Sequence, residues 1–151
     1  MSEFNSADEI LDYAIEMEQQ AVDLYTRLAE QTKTDHTRKV FLGFAGEERG
    51  HKSKLEAVKA GKTVVSRGGA VQDLRIADYT SDIELSEKPT YEEILVFAMK
   101  LEKQAFRMYT DLAERTDSDD LRDLFLALAQ EEAKHKLRFE VEYDEHVLTE
   151  N

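Results

Sequence analysis

The chain repeats itself once. The segment "EQQAVDLYTRLAE" (18–30) returns as "EKQAFRMYTDLAE" (102–114), and "EERGHK" (47–52) returns as "EEAKHK" (131–136), both 84 residues further on. At that offset residues 14–58 and 98–142 are identical at 20 of 45 positions without a gap. A period this long, present only twice, is not a stack of short repeats. It restricts the chain to two copies of one supersecondary unit. Within each copy the apolar residues recur at spacings of three and four, the mark of amphipathic helices. The unit is therefore a helical hairpin.

Local chemistry sets the expected boundaries. Ser6 with Glu9 and Thr90 with Glu93 have the spacing of capping boxes, and Pro89 supports the second start. The polar stretches "TKTD" (32–35) and "TDSD" (116–119) interrupt the periodicity, and Asp35 or Ser118 is placed to cap the next helix. The spacing predicts helices near 7–32, 36–60, 91–116 and 119–145, each about 40 Å long at ~1.5 Å per residue. Short turns make each pair antiparallel. Hairpin one covers about 7–60 and hairpin two about 90–145. The glycine-containing segment 61–89 is the long crossover, with Val71, Leu74, Ile76, Tyr79, Ile83 and Leu85 free to pack on the bundle or on a partner subunit. One proline, six glycines and 35% charged residues suit long helices. The expectation is a single all-α domain over 1–151, a four-helix bundle.

Each apolar stripe has a polar intruder. The stripes run Leu11, Ile15, Glu18, Val22, Tyr25, Ala29; then Phe41, Phe44, Glu48, His51, Leu55, Val58; then Leu95, Met99, Glu102, Phe106, Tyr109, Ala113; and Phe125, Leu128, Glu132, His135, Phe139. Residues three apart share a helix face, so each Glu-x-x-His pair reaches one point. An unpaired buried carboxylate costs several kcal/mol, and no lysine or arginine lies on these stripes. Two divalent cations balance four carboxylates, with two neutral imidazoles completing the set. The spacing predicts a dinuclear metal site formed by Glu18, Glu48, His51, Glu102, Glu132 and His135.

A Glu from each of two helices and Glu-x-x-His from each of the other two is the ligand pattern of ferritin-like di-iron bundles. Through Glu18-Gln-Gln-Ala…Tyr25, Glu48-Arg-Gly-His51, Glu102-Lys-Gln-Ala…Tyr109 and Glu132-Ala-Lys-His135 the sequence resembles the rubrerythrin family of ferritin-like proteins over essentially its whole length. The resemblance implies that Glu48 and Glu132 bridge two metals. It makes Glu18 and Glu102 terminal carboxylates and His51 and His135 terminal nitrogen ligands. It implies iron; spacing alone leaves manganese and zinc open. The implied activity is reduction of hydrogen peroxide, or of oxygen, by a di-iron oxidoreductase. Iron handling of the ferroxidase type and a metal-stabilised structural bundle are the alternatives.

Two departures stand out. Full-length rubrerythrins carry a cysteine-ligated, rubredoxin-like domain; this chain has no cysteine, so electrons must come from an external donor protein such as a rubredoxin. Many rubrerythrins also have an extra glutamate three residues after the third-helix ligand, where this chain has Ala105. Tyr25 and Tyr109 sit seven residues after a ligand glutamate, placed either for packing or to hydrogen-bond a ligand carboxylate. Glu47 and Glu131 lie about 100° around their helices and are expected to be solvated or outside the ligand set. His36 and His146 are expected at the surface.

The formal net charge of −13 opposes a nucleic-acid partner. The acidic start lacks the features of a signal peptide, and no stretch approaches a membrane span, so a cytoplasmic location is expected. A homodimer or larger homo-oligomer is the expected assembly.

Overall fold

The computed structural model describes residues 7–61, 89–116 and 118–150. Among them four α-helices follow one another: α1 Ala7–Gln31, α2 Asp35–Gly61, α3 Tyr91–Arg115 and α4 Asp119–Glu150. Short polar side chains start α2, α3 and α4. Thr90 accepts a hydrogen bond from the Glu93 amide while the Glu93 carboxylate accepts one from the Thr90 amide, the expected capping box. Ser118 accepts from the Leu121 amide at 3.2 Å, also as expected. Ahead of α2 the cap is Thr34, which accepts from the Thr37 amide at 3.2 Å. Asp35, the expected cap, instead lies in the first turn and pairs with Arg38. Thr34 is the counterpart of Ser118 in the repeat, so a hydroxyl occupies the cap both times. Ser6 lies outside the described residues.

Both hairpin turns are closed in the same way. A helix C-terminus leaves carbonyls without intrahelical partners and carries partial negative charge. Arg38 donates to the carbonyls of Ala29 at 3.3 Å and Thr32 at 3.4 Å. Arg122, 84 residues later, donates to Ala113 at 3.3 Å and Thr116 at 3.0 Å. Each guanidinium thus ties the start of its own helix to the end of the preceding one. This holds α1 antiparallel to α2 and α3 antiparallel to α4, and α1 also packs on α3.

The core is divided in two. At one end Leu11, Leu55, Met108, Leu112, Phe125 and Leu128 pack together; at the other, Leu28, Phe41, Ile94, Leu95 and Phe139 do. Each cluster draws on all four helices. Tyr91 at the start of α3 lies beside Thr32 and Thr34 of the first turn, so residues 61 and 89 stand at opposite ends of the bundle. Residues 62–88, including the apolar positions expected to pack on it, lie outside the described residues. Among those described, no helix is long and apolar enough to cross a membrane.

Two further details differ from expectation. Phe106, placed on the buried stripe by its spacing, is 39% exposed, and Ala105 faces inward instead. Helix α4 continues to Glu150 rather than ending near 145. Its last turns are held to α3 by Tyr91, which donates to Glu142 at 2.8 Å, and by His146, 3.4 Å from Glu92.

Thr90→Ala removes the side-chain half of the capping box, the bond from the Glu93 amide, and leaves the residue-90 amide free to donate to Glu93. It is expected to lower stability by about 1 kcal/mol, measured as a reduced midpoint in urea without a change in slope.

Candidate metal centre

Between the two apolar clusters, each helix turns a carboxylate inward. Glu18 on α1, Glu48 and His51 on α2, Glu102 on α3, and Glu132 and His135 on α4 are all buried, none more than 5% exposed. The helical period that lines up the apolar side chains also carries these groups to one level of the bundle. All six sequence-derived candidates meet there. Their donor atoms form two overlapping groups, Glu18–Glu48–His51–Glu132 and Glu48–Glu102–Glu132–His135, with the atoms of each group within 4.8 Å of one another. Glu48 and Glu132 belong to both groups.

The imidazoles cross over. His51 Nδ1 is 3.0 Å from Glu132 of the other hairpin and 3.4 Å from Glu48 of its own. His135 Nδ1 is 3.0 Å from Glu48 and 3.7 Å from Glu102. Many of these atoms nevertheless lack hydrogen-bond partners: Glu18 Oε2, Glu48 Oε1, both Glu102 oxygens and His135 Nδ1. Leaving a buried polar atom unpaired costs about 1–3 kcal/mol, and more for a charged one. No lysine or arginine is buried among the described residues. Two cations, one in each donor group, satisfy the converging lone pairs and neutralise four carboxylates. The donor set of oxygen and imidazole fits such a pair of ions.

Surrounding residues hold these donors in place. The Tyr109 hydroxyl donates to Glu18 across the hairpins. Its repeat counterpart, Tyr25, does not bond a carboxylate: its buried hydroxyl has no partner, and its ring packs on Phe139 and edge-on to His135. Glu47 lies outside the six-residue donor set, as expected, and is half exposed. Its carboxylate contacts His135 Nε2, so the ring's proton sits on Nε2 and Nδ1 keeps a lone pair facing Glu48 and Glu102. This contact joins α2 to α4, and nothing within either helix's sequence signals it. Glu131 lies beside the same pair and also faces Lys134 at 3.5 Å. His36 is exposed as expected, and His146 is partly covered by Tyr91.

Crowding disturbs the proton equilibria. Burial, followed by the charge of Glu132, pushes Glu48 well above the usual carboxylate range. Burial and then Glu102 do the same to Glu132. Glu102 is raised to about 8, mainly by burial, with Glu18 adding to it. For His51, burial favours the neutral ring, but Glu132 and Glu18 outweigh it and raise the group to about 9. In Glu18, burial is outweighed by the His51 imidazole, which holds its carboxyl below the usual value. Without cations, protons supply the positive charge that the cluster needs.

Residues 6–140 match the family described as the ferritin-like domain. The chain belongs to the ferritin-like domain family. A protein from Thermotoga maritima, described provisionally as a ferritin-like diiron-carboxylate protein, shares this ferritin-like fold at a TM-score of 0.79. It is 20% identical, over 97% of this chain and 99% of the other. A hypothetical protein from Pyrococcus furiosus matches at a TM-score of 0.74 and 23% identity, over 92% and 89% of the two chains. The sequence matches no curated protein. The ferritin-like fold accounts for the four-helix architecture; the buried carboxylate–histidine cluster gives this member room for two metal ions.

The raised groups fix the pH dependence of the metal-free protein. Between 4.5 and about 8 the folded state keeps a proton on Glu102 that the unfolded state has released, and between 6.5 and about 9 the same holds for His51. Stability therefore falls as pH rises through this window. Chelator-treated protein is expected to melt at progressively lower temperature from pH 5 to 9, and metal-loaded protein to lose most of that slope, as differential scanning calorimetry will show.

Glu47→Gln is expected to weaken metal binding by about 10–100-fold, measured by competition with a chromophoric chelator, with the helical circular dichroism unchanged.

Proposed function

We propose that the 151 residues form a rubrerythrin-like di-iron oxidoreductase that reduces hydrogen peroxide with electrons from an external donor protein. One observation carries this reading: two buried donor groups, each with its own histidine, share Glu48 and Glu132. In it, Glu48 and Glu132 would help to hold both metals, with Glu18 and His51 holding one and Glu102 and His135 the other. Six protein ligands on two ions leave coordination positions open, which suits a reactive centre rather than a closed structural one. The rubrerythrin motifs and the diiron-carboxylate description of the Thermotoga maritima protein favour iron over manganese or zinc.

Two iron ions bound there would supply the two electrons that cleave the O–O bond of peroxide. The chain's own residues prepare the site. The two apolar clusters exclude bulk water from either end of it, strengthening each electrostatic interaction within. Tyr109 fixes the orientation of Glu18, and Glu47 that of His135. In the metal-free protein Glu102, raised to about 8, holds a proton near neutral pH, which metal loading would displace. Ala105 adds no further carboxylate, so the ligand set stays at six.

A second reading, oxidation of Fe(II) for iron handling, uses the same donors. Its support is the acidic group of Glu47, Glu131 and His135. Glu47 is half exposed and Glu131 partly exposed, so their carboxylates link solvent to the cluster.

Protein loaded anaerobically with Fe(II) is expected to hold two irons per chain by metal analysis, and Glu132→Ala to lose both together. Stopped-flow mixing is expected to show faster oxidation by peroxide than by oxygen, with sustained turnover only when a donor is added. Faster oxidation by oxygen, with ferric mineral released, would make iron handling the better reading. Two tightly held irons in Glu132→Ala would refute the site.

A further inference from the structure

The two hairpins share one architecture, so wherever they differ at equivalent surface positions the fold did not demand the difference. One such difference is concentrated beside the metal centre. On the groove side of α3 and α4 stand four basic side chains, Lys100, Lys103, Arg107 and Lys136, with Glu140, which pairs with Lys136, as the acid among them, for a net of 4 − 1 = +3. The equivalent positions of the first hairpin hold Glu16, Gln19, Asp23, Lys52 and Glu56, for a net of 1 − 3 = −2. Lys100, Lys103 and Arg107 stand where the first hairpin has Glu16, Gln19 and Asp23. The whole chain carries −13, so this face opposes the overall charge.

The same face is apolar at its centre. Phe106 is 39% exposed, Leu137 62% and Val141 38%, where the first hairpin has Val22, Ser53 and Ala57. Phe106 and Leu137 line an open groove together with Ala133, Lys103, Lys136 and Glu140. Ala133 directly follows Glu132, and Phe106 is one turn beyond Glu102. A molecule seated in the groove is separated from the carboxylate cluster by the thickness of one helix, about 10 Å.

We propose that this α3–α4 face is the docking surface for a small, acidic, one-electron carrier protein. The proposal rests on the oxidoreductase reading. Reduction of one peroxide, H2O2 + 2 e− + 2 H+ → 2 H2O, takes two electrons, and two reduced carriers each lose one. With no cysteine, the chain has no thiolate-bound centre of its own to relay them. An apolar contact ringed by basic side chains fits a carrier with a small apolar patch in an acidic rim; transient redox contacts are small, and charge complementarity speeds their formation. A symmetric contact between two copies of this chain would oppose one +3 face to another, which charge disfavours.

The probe is a reduced rubredoxin of acidic net charge. The variant Lys100→Glu, Lys103→Gln, Arg107→Asp, Leu137→Ser takes its residues from the first hairpin, which folds with them. With iron-loaded protein and peroxide, the variant is expected to oxidise rubredoxin at least ~10-fold more slowly at low salt and to lose the salt dependence shown by wild type. Its oxidation by peroxide and its reduction by dithionite are expected to match wild type. Equal rubredoxin rates in the two proteins would overturn the proposal, as would a wild type that turns over with dithionite but not with rubredoxin. If wild type fails to consume peroxide even with dithionite, the oxidoreductase reading has failed. NMR titration with oxidised rubredoxin then reads the surface independently of the chemistry: shifts confined to α3–α4 and lost in the variant support docking, and their absence overturns it. Association of wild type in sedimentation that the variant abolishes would mark the face as a contact between copies and also overturn the proposal.

Discussion

Four carboxylates share one buried site, and the bundle must accommodate their repulsion. Glu18, Glu48, Glu102 and Glu132 lie between two apolar clusters that would otherwise form one continuous core. Removing charges from water costs several kcal/mol each even after relaxation, against a total stability of about 5–15 kcal/mol for a typical domain. Counter-charge at this point is therefore a condition of folding as well as of function. Protons on the raised glutamates and histidines provide it in one state, and cations provide it in the other. The cluster can hold metal because, without it, the site is electrostatically under-compensated.

Everything around the cluster serves to aim it. The arginines of the two turns set each hairpin's geometry through the carbonyls they bind, so the glutamates arrive at one level. The ties between hairpins then run through the site itself: His51 to Glu132, Tyr109 to Glu18 and Glu47 to His135. Charge neutralisation and hairpin docking are thus one event. This explains how a bundle assembled from two similar halves can dispense with a continuous apolar core at its middle.

Duplication leaves the two halves free to diverge where the fold does not constrain them. The clustered glutamates and histidines, the capping hydroxyls and the turn arginines recur at the 84-residue offset. The environments of the tyrosines do not: Tyr109 bonds Glu18, whereas the Tyr25 hydroxyl has no partner. Only one of the paired outer glutamates, Glu47, bonds a histidine. The outward faces diverge furthest, in both charge and apolar exposure.

Periodicity alone determined the four helices, their pairing and the six buried polar residues, because a helix's period is local and an inward carboxylate among leucines and phenylalanines is visible along a single helix. Capping was legible in chemistry but not always in position, since Thr34 and Asp35 are both competent and the choice between them depends on where the chain enters the turn. Phe106 misled because a 3.6-residue period leaves neighbouring positions at the edge of a stripe nearly equivalent; Ala105 is the one that joins the core. The extension of α4 rests on Tyr91 with Glu142 and His146 with Glu92, partners far apart in the sequence. Which donors fall into both groups, and that Glu47 orients His135, were decided only by the tertiary structure. Those facts are distances between different helices, and no spacing along one chain contains them.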